Sequence, residues 1–331
     1  MAHNGAIRWG ILGTANIARF AFLPALHAAG GGRASAVAGR DAGRTEEFAH
    51  LNGVDHAVHG YDALLADDAL DAVYIPLPNA LHREWSIAAL RAGKTVLCEK
   101  PLATTSSGAT AVLDAARNSG GLLWEAFVYP FHDQTDRLNE LLDEGAIGDP
   151  REVHVIWHFK LGSRENVRLS PELEGGALND IGCYAISLAR LVFRAEAGAG
   201  MALPVMAPEG VDEEMHGVLA FPGERRLLFS VGMRRGPFQS TTILGTDGEI
   251  RLTNPFHAGP NDTLEVRGRD DELVEQLAGD EPSFTDAIRH IHAVLRGEES
   301  PRHLAVDEAM GNATALDILQ RSARTGSLEA V

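Results

Sequence analysis

Lys100 is the residue whose type and position most directly suggest chemistry in this chain. Lysine occurs only three times in the 331 residues, whereas arginine carries nearly all of the positive charge. The apolar run 96–98 ends in Glu99, Lys100 and Pro101. Pro101 prevents the strand from continuing, and ligands of open α/β sheets bind just beyond the carboxyl ends of the strands. This segment alone is compatible with a functional lysine and equally with a solvated strand-to-helix turn, and the rest of the chain favours the functional lysine.

A second group of polar residues lies in a predicted helix near the middle of the chain. The stretch 174–186 begins with glycines, and from about Leu178 to Phe193 the apolar residues recur with a helical period. Asp180 and Tyr184 are four residues apart and share one face of such a helix. An acid in the first turn and a core tyrosine are common without any function, so this pattern alone leaves both interpretations open.

A glycine turn near the N-terminus predicts a dinucleotide site. A predicted strand at 7–13 runs into the spacing Gly10-x-x-Gly13-x-Ala15, and a helix is predicted from Ala15 to Ala29. Glycines let the backbone turn tightly and approach a pyrophosphate, and the helix N-terminus supplies amide donors. The spacing is looser than the usual fingerprint, but it stands at the start of an alternating series. The predicted cofactor contacts of this turn are Gly10, Gly13, Thr14, Ala15, Asn16 and Ile17.

Strands and helices alternate up to about residue 127. The predicted strands are 34–38, 57–58, 71–75, 95–98 and 122–124, and the predicted helices are 44–50, 62–66, 79–92 and 106–118. This alternation predicts an α/β fold with a parallel sheet covered on both faces. Residues 1–127 are therefore predicted to form a doubly wound, dinucleotide-binding Rossmann domain.

From residue 128 the pattern changes to successive strands. After an amphipathic helix at 133–144, strands are predicted at 152–160, 215–221, 226–233, 241–245, 249–252 and 263–267. Residues 128–331 are predicted to form an α+β domain with a large, open, mostly antiparallel sheet for substrate binding and oligomerisation. An uncovered sheet face favours a homodimer or homotetramer. Helices at 284–295 and 306–321 close the chain, and we expect the last to pack back on the first domain.

Cofactor choice is predicted at the end of the second strand. A carboxylate there selects the ribose hydroxyl of NAD, whereas an arginine accommodates the 2′-phosphate of NADP. Gly39 occupies the acidic position, and Arg40 and Arg44 follow. We therefore expect NADP(H) to be preferred. The alternatives are NAD(H) bound through Asp41, or a solvated helix start with Asp41 as its cap.

The loop after the fourth strand should also lie at the carboxyl edge. Pro76 and Leu77 precede Asn79, the predicted cap of the next helix, and His82. We expect all four to contact the cofactor together with Glu99 and Lys100. For His82, a solvent-facing position in the first helical turn is an equal alternative.

Composition excludes several classes of protein. The net charge is −17 and the sequence pI is near 5.2, so binding to nucleic acid or to an anionic membrane is electrostatically opposed. Apolar stretches are broken before about 18 residues, which predicts no transmembrane helix and a cytoplasmic location. Cys98 and Cys183 fit reduced core residues, and the 14 histidines form no metal-binding motif.

The glycine turn, Glu99-Lys100-Pro101 and the stretch Gly175–Tyr184 together resemble the glucose-fructose oxidoreductase, inositol dehydrogenase and rhizopine catabolism (Gfo/Idh/MocA) family. The resemblance covers essentially the whole chain and is strongest to the aldose branch, which includes xylose dehydrogenase, dimeric dihydrodiol dehydrogenase and sugar 3-ketoreductases. Inositol dehydrogenases usually carry histidine in place of Tyr184, and Pro130 replaces an arginine of the aldose branch.

The resemblance implies a cis Lys100–Pro101 bond and a loop around Arg168 over the nicotinamide and substrate. The predicted substrate contacts are Lys100, Phe127, His132, Arg168, Asp180 and Tyr184. It also implies a carbohydrate substrate.

Our hypothesis is an NADP(H)-dependent oxidoreductase that interconverts an alcohol and a carbonyl on a sugar or cyclic polyol. Tyr184 is the general acid/base, Lys100 lowers its pKa and binds the substrate oxygen, and Asp180 orients a sugar hydroxyl. Lys100 and Tyr184 would meet only across the two predicted domains. The alternatives are a redox-neutral, NAD-dependent glycosidase and a non-catalytic nucleotide or sugar sensor.

Overall fold

The computed structural model describes residues 5–259, 261–268, 273–278 and 283–331. These residues form two compact units. The first includes the described residues of Met1–Ala103, Ser107–Phe131 and Pro282–Met310, and the second those of Thr104–Ser106, His132–Glu281 and Gly311–Val331. The boundary between residues 127 and 128 stays our prediction for the domain division.

The sheet of the first unit is parallel throughout. Its strands are β1 (Ile7–Leu12), β2 (Gly32–Gly39), β3 (His56–His59), β4 (Ala72–Ile75), β5 (Thr95–Cys98) and β6 (Leu123–Glu125). Their order is β3-β2-β1-β4-β5-β6, so the strand order reverses between β1 and β4. The predicted Rossmann fold is confirmed.

Helices connect these strands in sequence order. A π-helical turn, Ala18–Phe22, leads into α1 (Leu23–Ala29), and α2 (Ala42–Asn52), α3 (Tyr61–Leu65), α4 (Asn79–Arg91) and α5 (Ser106–Ser119) follow. The π-helical turn was not predicted, because the apolar pattern of 15–29 does not distinguish it from a regular α-helix.

The strands of the first unit are buried on both faces. Tyr74 and Leu97 belong to one apolar cluster with Trp9, whereas Val73 and Val96 belong to another. Successive side chains of a strand point to opposite faces, so the two clusters lie on opposite faces of the sheet. This double burial explains why the strands appear in the sequence as continuous apolar runs.

The buried His292 connects the helix Ser283–Arg296 to the start of the first unit through two hydrogen bonds. Trp9 Nε1 donates a hydrogen bond to His292 Nε2 at 2.9 Å, and His292 Nδ1 donates to Gly30 O at 2.9 Å. Both bonds form together only with a neutral imidazole, because one ring nitrogen accepts and the other donates. Burial lowers the pKa of His292 to about 4, opposed by the bond to Gly30 and reinforced by the charge of Arg296.

The second unit contains a nine-stranded mixed sheet. After α6 (Asp133–Asp143) the strands are β7 (Pro150–Lys160), β8 (Ala199–Met206), β9 (Asp212–Phe221), β10 (Arg225–Gly232), β11 (Arg234–Gly245), β12 (Gly248–Leu252), β13 (Thr263–Gly268), β14 (Leu273–Ala278) and β15 (Glu329–Ala330). Their order is β14-β13-β12-β11-β7-β10-β9-β8-β15, and β7 and β10 are parallel neighbours. The other pairs are antiparallel, as predicted.

The remaining helices are divided between the two units. A π-helical turn, Leu178–Gly182, leads into α7 (Cys183–Phe193), which packs on β7 and β10. The helix Ser283–Arg296 is α8 and belongs to the first unit, whereas α9 (Ala305–Thr325) begins in the first unit and ends in the second. Cys98 and Cys183 are both buried free thiols, as predicted. Within the described residues, no helix combines the length and hydropathy needed to cross a bilayer.

Replacing His292 by leucine tests the tie between α8 and the start of the chain. The variant leaves the buried Trp9 N–H without its acceptor, so we expect a loss of about 1–3 kcal/mol in unfolding free energy at neutral pH. In the wild type, an unfolded His292 gains a proton below its ordinary pKa of 6.5, whereas the folded one does so only near 4. Wild-type stability therefore falls as the pH drops through this window.

The difference in unfolding free energy between wild type and His292→Leu should accordingly become smaller as the pH falls from 6.5 towards 4. Urea unfolding followed by tryptophan fluorescence at several pH values measures it. His50→Leu, at an exposed position in α2, is the control and should show little change in stability. A difference that is the same at all pH values contradicts the neutral buried imidazole.

Candidate functional site

Two glycines bring the end of β1 close to neighbouring side chains. Gly13 has φ +104°, and its N–H donates to Ala38 O at 2.7 Å. A Cβ on Gly13 would lie 3.0 Å from Leu77 Cδ2, and one on Gly10 would lie 2.7 Å from Leu64 Cδ2. Gly13 thus serves both the turn and the close packing, whereas Gly10 serves the packing.

The residues after Gly13 lead directly into a helix. Thr14 and Ala15 are half-buried, whereas Asn16 and Ile17 are exposed in the first helical turn. The first amides of a helix lack intrahelical partners and carry a positive partial charge. This end of β1 therefore has the form expected of a pyrophosphate site.

Gly39 packs closely against the side chain of Thr45. A Cβ on Gly39 would lie 2.1 Å from Thr45 Oγ1, and Thr45 Oγ1 itself donates to Asp41 O at 2.5 Å. Asp41 Oδ1 accepts from Arg44 N at 2.8 Å and caps α2, as the structural alternative predicted. Arg40 and Arg44 are exposed beside it.

Tyr61 is a residue at this edge that sequence reasoning missed. Its hydroxyl lies 4.0 Å from the position of a Cβ on Gly13, and its ring packs edge-on against Trp85 at 4.8 Å between centroids. Burial raises the pKa of Tyr61, and the positive charge of Arg40 works in the opposite direction. Tyr61 therefore lies next to the glycine turn and senses the charge of Arg40, which no sequence spacing indicated.

The loops after β4 and β5 are tied together by His82. Its side chain is 1% exposed, with Nδ1 2.8 Å from Pro101 O and Nε2 2.7 Å from Leu77 O. The solvent-facing alternative for His82 is wrong, because the backbone carbonyls of two loops occupy both ring nitrogens. The predicted cap role of Asn79 is also wrong, since Asn79 is the first residue of α4 and Pro78 stands at the N-cap.

Carboxylates hold the segment around Lys100. The Lys100–Pro101 peptide bond is cis, as the resemblance implied. The hydroxyl of Tyr74 donates to Glu99 Oε1 at 2.6 Å, and Leu102 N donates to Glu125 Oε1 at 2.7 Å. The backbone on both sides of Lys100 is thereby fixed, while Lys100 itself is half-buried.

The other two lysines have simpler environments. Lys94 is buried, and its Nζ donates to Asp67 O at 2.6 Å and to Leu70 O at 3.1 Å. Lys160 is exposed at the end of β7. Lys94 therefore has a structural role, which leaves Lys100 as the lysine at the carboxyl edge of the first sheet.

Arg168 and Asp180 form an ion pair in the second unit. Arg168 Nε lies 2.7 Å from Asp180 Oδ2, and the Asp180 side chain is 14% exposed. Asn166 Oδ1 accepts from Arg168 N at 3.0 Å, and Gly176 N donates to Arg168 O at 2.8 Å. The structure thus joins two predicted substrate residues that are distant from the glycine turn in sequence.

Tyr184 is enclosed by aromatic rings from two other elements. Its ring centroid lies 5.4 Å from that of Trp157 in β7, 5.0 Å from that of Phe256 and 5.6 Å from that of His257. Tyr184 is 4% exposed and Phe256 is fully buried, whereas His257 is exposed. Sequence reasoning missed these three neighbours, because they come from a strand and a loop with no motif.

The loop that carries His257 is fixed by its own polar contacts. Asn254 Nδ2 donates to His257 O at 2.7 Å and to Asp262 Oδ2 at 3.2 Å. Gly259 N also donates to Asp262 Oδ2, at 3.0 Å. The imidazole of His257 therefore stands beside Tyr184 on an organised loop.

Two further predicted substrate residues are buried. Phe127 packs edge-on against Tyr129 in the first unit, with 6.5 Å between ring centroids. His132 is 3% exposed, and its Nδ1 accepts from Gln134 N at 3.0 Å, which caps α6. A capping role for His132 was not predicted. Among the described residues, no group of three or more His, Cys, Asp or Glu side chains is arranged to hold a metal ion.

Comparison with known proteins gives one family for both halves of the chain. The model of the GFO/IDH/MocA oxidoreductase family, NAD-binding Rossmann fold, matches residues 7–127, and that of the GFO/IDH/MocA C-terminal domain matches residues 135–251. The dTDP-3,4-didehydro-2,6-dideoxy-alpha-D-glucose 3-reductase of Actinomadura kijaniata is 41% identical, covering 98% of this chain and 97% of its own.

Two other comparisons agree. The D-xylose 1-dehydrogenase (NADP(+)) 2 of Haloferax volcanii is 34% identical, covering 96% of this chain and 98% of its own. A crystal structure of a 3-ketoreductase from Actinomadura kijaniata in complex with NADP and TDP-benzene aligns with a TM-score of 0.88 at 31% identity, covering 96% of this chain and 98% of that chain. Both similarities extend over both units.

Replacing Gly13 by alanine tests the turn at the end of β1. The new Cβ would be 3.0 Å from Leu77 Cδ2 on a backbone with φ +104°, so we expect a stability loss of about 1–3 kcal/mol and weaker dinucleotide binding. Thermal unfolding and fluorescence titration with NADPH measure the two effects.

Gly43→Ala is the matched control for this variant. The nearest atom to its Cβ would be Asp41 Oδ1 at 3.7 Å, an ordinary contact in α2. Stability should stay the same or rise by up to about 1 kcal/mol, with unchanged cofactor affinity. Equal behaviour of the two variants contradicts the role assigned to Gly13.

Proposed function

Because the chain belongs to the GFO/IDH/MocA family of oxidoreductases, we propose that it interconverts an alcohol and a carbonyl on a sugar or sugar-like cyclic polyol, with NADP(H) as the hydride carrier. The observation that carries this proposal is the environment of Tyr184. Tyr184 is 4% exposed and lies on the same helical segment as Asp180. The carboxylate of Asp180 forms an ion pair with Arg168. A buried phenol beside a fixed carboxylate suits proton exchange with a polyhydroxylated substrate.

Proton transfer at the reacting oxygen is assigned to Tyr184, and hydride transfer at the reacting carbon is assigned to the cofactor. A nicotinamide cofactor, when bound, would supply the hydride chemistry at the reacting carbon. In the oxidative direction, Tyr184 as phenolate takes the hydroxyl proton of the substrate, and in the reductive direction Tyr184 returns that proton to the carbonyl oxygen. The hydrogen that leaves the carbon as hydride and the proton taken by Tyr184 together balance the oxidation of an alcohol.

Lys100 supports Tyr184 electrostatically. An isolated tyrosine has a pKa near 10, and a nearby ammonium favours the phenolate and lowers that pKa. In our proposal the Lys100 ammonium also donates a hydrogen bond to the substrate oxygen. Asp180 accepts a hydrogen bond from a neighbouring sugar hydroxyl, and Arg168 keeps its carboxylate in place.

Structures of the related 3-ketoreductase support this assignment. They include variants in which a tyrosine is replaced by phenylalanine and a lysine by alanine or glutamate. The two substituted positions are separated by the same number of residues as Lys100 and Tyr184. We carry this pair over to the present chain on its spacing and on its place in the two motifs.

A preference for NADP(H) over NAD(H) has three supports. Asp41 uses its carboxylate to cap α2, and a side chain at position 39 would require Thr45 to move. Arg40 is exposed at the same strand end and presents a planar fork that suits phosphate oxygens. The named cofactor of the xylose dehydrogenase and of the 3-ketoreductase complex is NADP.

We further propose a homodimer or homotetramer that uses the sheet of the second unit. One face of this sheet exposes Ile156 and Leu228 at 39% each, Phe238 at 58% and Leu203 at 59%. An exposed apolar surface of this kind favours contact with another protein surface.

Tyr184→Phe tests the acid/base assignment. Removal of the phenol oxygen should lower turnover by about two to four orders of magnitude, the usual size of acid–base effects. NADPH affinity and the circular dichroism spectrum should stay unchanged, since the ring and its neighbours are retained. Initial rates with an aldose and fluorescence titration measure both. Full turnover by the variant rejects the mechanism.

Arg40→Ala tests the choice of cofactor. Loss of a charge-assisted phosphate contact of about 1.5–3 kcal/mol predicts that kcat/KM for NADPH falls about 10- to 100-fold while that for NADH changes little. Arg33→Ala, at an exposed position near the start of β2, is the control and should leave the ratio unchanged. If the ratio of kcat/KM for NADPH to kcat/KM for NADH is unaltered in Arg40→Ala, the assignment of Arg40 to the 2′-phosphate is wrong.

A further inference from the structure

Asp212, the first residue of β9, contacts the start of the helical segment that carries Asp180 and Tyr184. Its Oδ2 accepts a hydrogen bond from Leu178 N at 2.7 Å, and Leu178 begins the π-helical turn. Ala177, at the N-cap, offers no side-chain cap to this turn. Because the first amides of a helix lack intrahelical partners, the carboxylate of a distant strand takes the place of a local cap.

The chain next to the helix start is shaped to admit this carboxylate. Gly176 has φ +110°, and a Cβ on it would lie 2.1 Å from Asp212 Oδ1. The same residue donates its N–H to Arg168 O at 2.8 Å and accepts from Asp180 N at 3.0 Å. Asp212, Gly176, Arg168 and Asp180 therefore form one connected set of contacts at the beginning of the segment.

The environment of Asp212 makes its hydrogen bonds consequential. Burial raises the pKa of Asp212 to about 7, although the amides of Leu178 and Ala177 favour the carboxylate and lower it. An aspartate kept in an environment that disfavours its charge is costly to the fold. The contact between Asp212 and the helical segment of Asp180 and Tyr184 is therefore a specific feature of the fold, unlike the position of a solvated surface carboxylate.

We propose that Asp212 is a positioning residue, whose carboxylate holds the amides at the start of segment 177–184 and thereby sets the orientation of Asp180 and Tyr184. The proposal rests on the assignment of Tyr184 as the acid/base. Tyr184 follows Leu178 by less than two helical turns, so a shift of the first turn is passed on to both side chains. A displacement of about 1 Å at a reacting group can lower a rate about 100-fold.

Three substitutions at position 212 separate positioning from folding. Asp212→Ala removes the acceptor, Asp212→Asn keeps an acceptor oxygen of the same reach, and Asp212→Glu keeps the carboxylate but moves it by one methylene. We expect kcat to fall about 10- to 100-fold in the alanine and glutamate variants, with KM and NADPH affinity changed less than about threefold. The asparagine variant should recover most of the rate.

Hydrogen exchange gives a readout that does not depend on turnover. Peptides that cover 177–184 should exchange about tenfold faster in Asp212→Ala than in the wild type, while peptides of the first unit should be unchanged. Asp67→Ala is the control, because Asp67 Oδ1 also accepts a backbone hydrogen bond, from Ala69 N at 2.8 Å, in an exposed loop. It should alter neither exchange in 177–184 nor kcat.

Wild-type kcat and wild-type exchange in Asp212→Ala overturn the proposal. If that variant fails to fold, wild-type kcat in Asp212→Glu overturns it instead. Faster exchange with normal kcat removes the link to catalysis. If Tyr184→Phe is also fully active, the proposed function fails independently, so the two failures are distinguishable.

Discussion

The parallel pairing of β1, β4 and β5 is the constraint on which the candidate site of the first unit depends. Ile11 pairs with Tyr74, and Tyr74 pairs with Leu97, so the three strands end at nearly the same level of the sheet. Gly13 and Lys100 follow two of these ends. A slip of one residue in β5 would turn each of its side chains to the opposite face and would change the packing of both apolar clusters.

Contacts between the loops then preserve what the strand register sets. His82 connects the loops after β4 and β5 through Leu77 O and Pro101 O. Close packing of Gly13 against Leu77 connects the loops after β1 and β4. The glycine turn, the loop 76–78 and the segment around Lys100 are thus parts of one connected edge.

The second unit obtains its site from one continuous helical segment. Asp180 and Tyr184 are related by backbone geometry, so their proximity follows from a spacing of four residues. Their partners follow from tertiary structure, since Arg168 comes from a loop, Trp157 from β7 and His257 from a loop after β12. Local sequence therefore predicts the polar residues of the helix, and only the folded sheet reveals what surrounds them.

The same division explains what the sequence could and could not predict. Apolar strands such as β4 and β5 were located within a residue, because burial on both faces gives an unbroken signal. The strand β8 was missed because glycine, alanine and Pro204 give it weak strand propensity, and pairing with β9 decides its conformation. The contacts of Tyr61 and Asp212 join distant segments, which neither periodicity nor motif spacing records.

An NADPH absorbance assay across a panel of substrates tests the proposed oxidoreductase activity most directly. The absorbance of NADPH should be followed with purified protein across aldoses, keto-sugars and dihydrodiols, in both the oxidative and the reductive direction. We predict net formation or consumption of NADPH with at least one carbohydrate, and slower reaction with NADH or NAD. Tight binding of the cofactor with no net change of absorbance for any substrate in either direction would contradict it.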